Sequence, residues 1–406
     1  MARTSIADGP EPIQEAAWKE VEGESRRMTE SLLNGLLRAE RTEWLGAGHY
    51  ERHPQRRGHR NGFTDRTLDS RWGPLKVRIP RVRGVAQPFR TRLLAAYQRR
   101  QRHIERCAVE WVACGMSTRQ ASRELRRAFG AVVSAGTVSR LVAKLDAQIG
   151  AFRRRPLERG LRYVYLDGKH GHVSGVRWRR RGRGKARKAV LLLAWGIRHD
   201  GAEELIDFRV APDESERSWD GLLRSLRARG LVEKNERGEC LERIITDGDS
   251  GVQAALALNY PETPHQICVF HKIKNLLDDL ADKTRKGAIQ GQAGRIFEAP
   301  TRSEALRRLG RWRGRWARQE PVAVAHFVRD IERMLLFYAS PPELRRRVKT
   351  TNPIERFIRE LDRKFERVGV FPSALSWERA TYIVYRQLLE RGYRPTRPQT
   401  TSTQTS

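Results

Sequence analysis

Three carboxylates stand out by their position. Asp167, in YVYLDG, follows the apolar run Arg162–Leu166, and Asp247, in IITDGDSGV, follows Arg243–Thr246. Glu355, in TTNPIERF, opens a helical pattern over Pro353–Arg367. Two acids placed where short strands run out meet at one sheet edge if those strands are neighbours, although they are 80 residues apart. Glu355 comes another 108 residues on, which leaves room for a helical insertion. Oxygen ligands of this kind hold hard divalent cations, and two such ions about 4 Å apart activate the attacking oxygen and stabilise the leaving oxygen of a phosphodiester transfer. The expected cofactor is therefore a pair of Mg²⁺ ions, with Mn²⁺ able to substitute. Each acid also has a purely structural reading. Asp247 or the nearby Asp249 could cap the next helix, and Asn352-Pro353-Ile354-Glu355 fits a capping box with Asn352 at the cap. Only the set, through its placement, argues for chemistry.

The substrate must then be a polyanion, and the composition agrees. The chain has 406 residues, with 80 Lys and Arg against 48 Asp and Glu, a net charge of +32. A genome rich in Arg codons explains Arg over Lys but not the deficit of acids. So strong a positive field attracts phosphate backbones and gives salt-sensitive binding. The length suits two to four domains. The polar start, with Pro10 and Pro12, lacks the apolar core of a secretory signal. The longest apolar stretch, Ala189–Ile197, is too short to span a bilayer, so no membrane partner is expected. Cys107, Cys114, Cys240 and Cys268 form no CxxC pair and no disulfide framework, which suits a reducing cytoplasm and the nucleoid that holds the genome.

The elements that must position the acids follow from hydrophobic periodicity. Residues 16–50 read as an amphipathic helix, and within the basic stretch Arg56–Gly84 the alternation of Leu75, Val77 and Ile79 suggests a short strand, with a solvated loop as the alternative. From Ile104 to Leu145 the pattern is that of a helix-turn-helix. Ser117 caps the first helix, Gly130 makes the turn, and Ser134 caps a second helix over Ala135–Leu145. Arg119 and Gln120 on the first helix, and Thr137, Ser139, Arg140 and Lys144 on the second, would face a DNA groove. An ordinary helical hairpin is the alternative. Beyond Pro156 strands are expected at Arg162–Leu166, near His172–Val176, at Val190–Ile197 and at Leu205–Val210. A basic loop joins the second to the third; eight of the twelve residues from Arg177 to Lys188 are Arg or Lys, among them Arg179, Arg180, Arg181 and Lys185. A helix over Glu216–Arg229, strand Arg243–Thr246, a helix from Ser250, strand His265–Val269 and helix Phe270–Leu280 complete the order of an α/β ribonuclease-H-like domain. An all-α insertion over 284–349 interrupts it before Glu355. The expected organisation is a helical and basic DNA-binding region at 1–100, the helix-turn-helix at 101–156, the core at 157–283, the insertion at 284–349, the final helices at 350–392 and a disordered tail at 393–406.

These strings together resemble the bacterial Mutator-type insertion-sequence transposases. The likeness runs from about residue 50 to 390, through RNGFTDRTLDSRWGPLKVRIPRVRG, GMSTRQASRELRRAFGAVVSAGTVSRL, YVYLDG, ESERSWDGLLRSLRARGL, IITDGDSGV, HQICVFHKIKNL and TTNPIERFIRELDRKFERVGVFP. Several separate matches in the right order are far more specific than any one. The resemblance implies an acid triad of the DDE class at Asp167, Asp247 and Glu355, a helix-turn-helix over Ser117–Leu145, and a Cys-x-x-His at Cys268 and His271. It implies binding of double-stranded DNA at terminal inverted repeats and at a target, cleavage and strand transfer, and a homodimer or larger assembly that synapses two ends. LDGKHGHVSG after the first acid, and the enlarged loop behind it, depart from the usual pattern. Two ligands fall short of the four that structural zinc takes, so Cys268 and His271 read as a brace between insertion and core. Trp312 and Trp316, four apart on one helical face, read as core, with stacking on a displaced base as the alternative. A domesticated, non-catalytic DNA-binding regulator is the competing function, and a stand-alone nuclease of the same fold is a third.

Overall fold

The structure, a computed structural model, describes residues 11–96, 98–157, 160–174, 186–233, 241–366 and 368–391. Arg179, Arg180, Arg181, Lys185 and Cys240 lie outside these. The chain divides into two compact units, residues 1–145 and 146–406.

In the first unit, α1 (Glu11–Leu45) packs on an antiparallel hairpin of β1 (His59–Ser70) and β2 (Gly73–Arg83). The alternation read from the sequence is real: Leu75 and Val77 are buried with Leu37, Leu68 and Leu94 and Ile79 is half-buried against them, while Lys76 and Arg78 in the intervening positions are exposed. Three helices follow, α2 (Arg102–Ala113), α3 (Thr118–Phe129) and α4 (Ala135–Arg154). Ser117 and Gln120 close a reciprocal capping box, and Gly130 ends α3 with φ 61°, a left-handed conformation that favours glycine. Ser134 Oγ accepts the Thr137 amide at 3.1 Å and starts α4. Ile104, Ala108, Leu125, Val133, Val138 and Val142 share the core between the three helices.

The second unit contains a five-stranded sheet. Its strands are β3 (Leu161–Ser174), β4 (Ala186–Arg198) and β5 (Glu203–Ala211), then, after α5 (Glu216–Ala228), β6 (Arg243–Thr246) and, after α6 (Ser250–Asn259), β7 (His265–Ile267). The spatial order is β5-β4-β3-β6-β7. The first three strands are antiparallel, and β6 and β7 add on in parallel. One face of the sheet buries Val164, Leu166, Leu192 and Ile206 against Trp219, Leu222 and Leu226 of α5 and Val252 and Leu256 of α6. After β7 come α7 (Val269–Asp278), α8 (Lys286–Ile296), α9 (Arg302–Trp316), α10 (Pro321–Arg329), the single turn α11 (Ile331–Met334), α12 (Pro342–Val348), α13 (Asn352–Phe365) and α14 (Ala374–Glu390). The other face of the sheet meets α13 and α14, where Trp195 of β4 stacks on Phe357 at 5.5 Å and meets Tyr385 edge-on at 6.5 Å. Trp312 and Trp316 are buried in the helical segment; Trp312 packs on Phe327, and Trp316 Nε1 donates to Gln292 Oε1 at 2.9 Å. None of the described helices is long and apolar enough to cross a membrane.

One expectation is corrected. The strands expected at Arg162–Leu166 and near His172–Val176 are a single strand, and Asp167 lies in its middle rather than at its end. Gly168 and Gly171 look like breakers, yet β4 pairs with β3 from Leu161 through Ser174 and holds it extended. Glycine at 171 answers a packing demand: a Cβ there would lie 2.5 Å from the Trp377 ring. On the other side of β3 the parallel ladder to β6 covers only Tyr163–Tyr165. Asp167 therefore sits just past the point where that neighbour stops.

Candidate active site

Side chains alternate along a strand, so Asp167 shares the face of Tyr163 and Tyr165, toward α12 and α13. Tyr165 Oη donates to the Arg347 carbonyl at 3.1 Å. Asp167 is 8% exposed and accepts the Gly168 amide at 2.8 Å. Burial pushes its carboxyl up to about 7, with Asp247 and Glu355 adding repulsion and His271 opposing it. Both other expected acids are thus within electrostatic reach of Asp167.

Asp247 follows β6 in a loop that is tightly specified. Gly248 has φ 86°, and a Cβ on it would lie 2.9 Å from Ile267. Thr246 Oγ1 accepts the Gly248 amide at 3.0 Å and lies 2.8 Å from His265 Nε2. Burial holds His265 down at about 4, so it is a neutral partner at pH 7. Asp249 does the capping: it accepts the Gly251 amide at 2.8 Å. Among the described residues Asp247 receives only the Asp249 amide, at 3.1 Å, and keeps most of its acceptor capacity.

Glu355 lies in the first turn of α13. The expected capping box on Asn352 is not formed. The helix begins one residue earlier, at Asn352, which is exposed, and flanking Thr351 makes no side-chain cap. Instead Thr351 Oγ1 donates to Glu355 Oε1 at 2.6 Å. Thr351 also lies 3.4 Å from both Cys268 Sγ and His271 Nδ1. The ligand atoms of Cys268, His271 and Glu355 fall within 4.8 Å of one another. The Val269 amide donates to the Lys349 carbonyl at 3.0 Å, so the start of α7 is stitched to the segment that leads into α13.

Sequence reasoning missed two residues here. Thr351, fully buried, is the hub that joins Glu355 to Cys268 and His271. Glu214 lies on the loop before α5, and burial together with Asp247 and Asp249 pushes it up to about 7. Its signal was its place at the head of ESERSWDGLL, among strings that elsewhere carry the acids.

The expected groove-facing residues belong to the other unit. Arg119, Gln120, Ser139, Arg140 and Lys144 are exposed and Thr137 is half-buried. The Gln120 side chain accepts the Ser117 amide at 2.9 Å, and Thr137 Oγ1 accepts from Arg140 at 3.0 Å.

A buried acid is acted on by two further acids from different elements, and the sequence that arranges them matches a known family. The family described as "Transposase, Mutator family" matches residues 3–392. The chain belongs to the Mutator family of transposases. As a member of that family it is 30% identical over 351 residues to the transposase for insertion sequence element ISRM5 of Rhizobium meliloti, covering 86% of this chain and 84% of that one. It is 33% identical over 353 residues to the transposase for insertion sequence element IS406 of Burkholderia multivorans, covering 86% of each. The Drosophila P element transposase strand transfer complex aligns with this Mutator-family transposase at TM-score 0.26 and 11% identity, over 70% of this chain and 78% of that one, too low to bear on the fold.

Proposed function

We propose that this transposase binds the terminal inverted repeats of an insertion sequence and performs metal-dependent cleavage and strand transfer at Asp167, Asp247 and Glu355. What supports the reading is that buried Asp167 on β3 is acted on by Asp247 from the β6 loop and by Glu355 from α13, in a chain of net charge +32. The strand order β5-β4-β3-β6-β7, followed by helices before Glu355, supports a ribonuclease-H-like core over 157–283 with a helical insertion at 284–349 and final helices at 350–392.

The donor set fits hard cations, because all three acids offer oxygen and Asp167 has no cationic hydrogen-bond partner among the described residues. Two Mg²⁺ ions, or Mn²⁺ in their place, would supply activation of the attacking oxygen and stabilisation of the leaving one. The chain's own part is to hold the acids. Asp167 is fixed by the continuous β3–β4 ladder, Asp247 by the Gly248 turn, and Glu355 by Thr351. Cys268 and His271 act as a brace at that point. Burial raises the Cys268 thiol, so it stays protonated, and Thr351 donates to it, which suits packing better than metal ligation. Water first cleaves the phosphodiester at the element end to free a 3′-hydroxyl, which then attacks target DNA; neither step needs a Ser or Tyr nucleophile.

The helix-turn-helix at 101–156, with Arg119, Gln120, Thr137, Ser139, Arg140 and Lys144, and the basic region 1–100 contact double-stranded end DNA. Arg179, Arg180, Arg181 and Lys185 add backbone contacts. Two copies or more synapse the ends, at the nucleoid. The test is Asp167→Asn on labelled end duplexes. The variant retains binding and loses Mg²⁺-dependent nicking; undiminished nicking by pure variant protein would refute the assignment.

A further inference from the structure

Glu214 is placed by two glycines. Gly168, next to Asp167, has no side chain, and the Glu214 carboxylate fills the space: a Cβ there would lie 1.6 Å from Glu214 Oε1. Gly251, in the first turn of α6, receives the Glu214 backbone, and a Cβ there would lie 2.0 Å from the Glu214 carbonyl oxygen. The loop before α5 is thereby pressed between the strand that carries Asp167 and the helix that follows Asp247. Asp213 organises the same loop, accepting the Ser215 amide at 3.1 Å and the Ser218 hydroxyl at 3.0 Å. Glu214 does none of that work; its carboxylate lies against Gly168, where Asp247 and Asp249 act on it electrostatically.

Among the described residues its charge has little to answer it. The side chain is 18% exposed, and among the described residues its one ion-pair partner is His170, 3.8 Å away and itself 75% exposed. In a chain of 80 Lys and Arg, a mostly buried carboxylate that meets two more acids and, among the described residues, pairs with no Arg or Lys is unusual. Buried acids elsewhere in the same sheet have arginines. Gly168 lies on the strand face opposite Asp167, so Glu214 approaches from the α5–α6 side of the sheet edge while Asp167 and Glu355 approach from the other. Asp247, at the end of β6, interacts with both groups.

We propose that Glu214 is a fourth acidic residue of the site, a carboxylate that works with Asp247 to hold a divalent cation from the α5–α6 side. This rests on the three-acid reading and deepens it. The triad alone supplies three carboxylates for two ions; Glu214 gives the second ion a ligand of its own. Gly168 and Gly251 are then part of the site too, since any side chain at either would displace the carboxylate.

The test measures cation binding rather than turnover. Mn²⁺ is titrated into the full chain, free of DNA, and free ion is followed by electron paramagnetic resonance. Glu214→Gln weakens one of two Mn²⁺ equivalents roughly 10–100-fold, the range typical for loss of a group that supports a metal site. Binding of an end duplex in chelator is unchanged. Gly168→Ala, which pushes the carboxylate aside and leaves its charge intact, weakens the same equivalent and serves if Glu214→Gln does not fold. Asp167→Asn is the control. If it loses Mn²⁺ while Glu214→Gln and Gly168→Ala bind as the parent does, the role of Glu214 is overturned and the triad stands. If all three variants bind as the parent does, the triad falls with it.

Discussion

Asp167 on β3 and Asp207 on β5 sit in the same sheet, are 8% and 1% exposed, and accept the amide of the next residue at the same 2.8 Å. Their surroundings differ completely. Asp207 has Arg229 at 2.8 Å and Arg153 at 3.7 Å, and Arg153 in turn pairs with Glu378 at 3.0 Å. Asp167 has Asp247, Glu355 and one histidine. Burial raises both carboxyls, but only at Asp207 do arginines oppose it first. The fold answers a buried charge where the charge serves the fold. Where it does not, the answer must come from outside, which is why an unanswered acid marks a functional site better than burial alone.

The contrast makes four predictions. The largest effect concerns Asp167→Asn: strand cleavage falls about 10²–10⁴-fold, since the metal site contributes several kcal/mol to the transition state. A single-turnover assay on end duplexes checks this, and a loss below tenfold would make Asp167 resemble Asp207. Next, Asp207→Ala strands Arg229 in the core and destabilises the second unit by about 3–5 kcal/mol, read from urea unfolding. An unchanged midpoint would erase the distinction from the other side.

The third prediction is a sign reversal. In metal-free protein Asp167 holds its proton up to about 7, against 3.8 for an ordinary carboxyl. The folded state therefore binds the proton more tightly than the unfolded state, and stability present on the acid side is lost as pH rises from about 4 to 7. Asp167→Asn removes that loss. Compared in chelator, the variant is more stable than the parent above pH 7, on the order of 1–3 kcal/mol, and no more stable at pH 4. A variant less stable than the parent at pH 8 would mean that the carboxylate is a structural group. The smallest effect belongs to Asp146, which pairs with Arg379 through two contacts of 2.7 and 2.6 Å but is 34% exposed. Asp146→Ala costs about 0–1 kcal/mol, and thermal melts in low and high salt should converge.

Much of this was legible in the sequence. The β6 boundaries Arg243–Thr246, the Ser117 cap with its Gly130 exit, and the burial of Trp312 and Trp316 all follow from local pattern, and local pattern is what a sequence displays. The failures share one cause. Gly168 and Gly171 look like the end of a strand because the contacts that demand glycine come from Glu214 and Trp377, 46 and 206 residues further on. Asn352 fits the cap consensus, but Thr351 beside it is recruited by Cys268 and Glu355 and the helix shifts by one residue. Glu214 reads as an ordinary acid ahead of a helix until the strand that it lies against is known. In each case the deciding neighbour is distant in sequence, and spacing along the chain cannot reveal it.

Beyond α13 the chain returns to β3: the Ser174 amide donates to the Phe371 carbonyl at 2.7 Å, and the Phe371 amide donates to the His172 carbonyl at 2.9 Å. The helix that carries Glu355 is thus moored at its entrance by Thr351 and just past its exit by Phe371. A strut fixed at both ends does not transmit slack from upstream. The direction in which Glu355 faces is therefore set by contacts at the two ends of its own helix rather than by the length of the helical stretch before it.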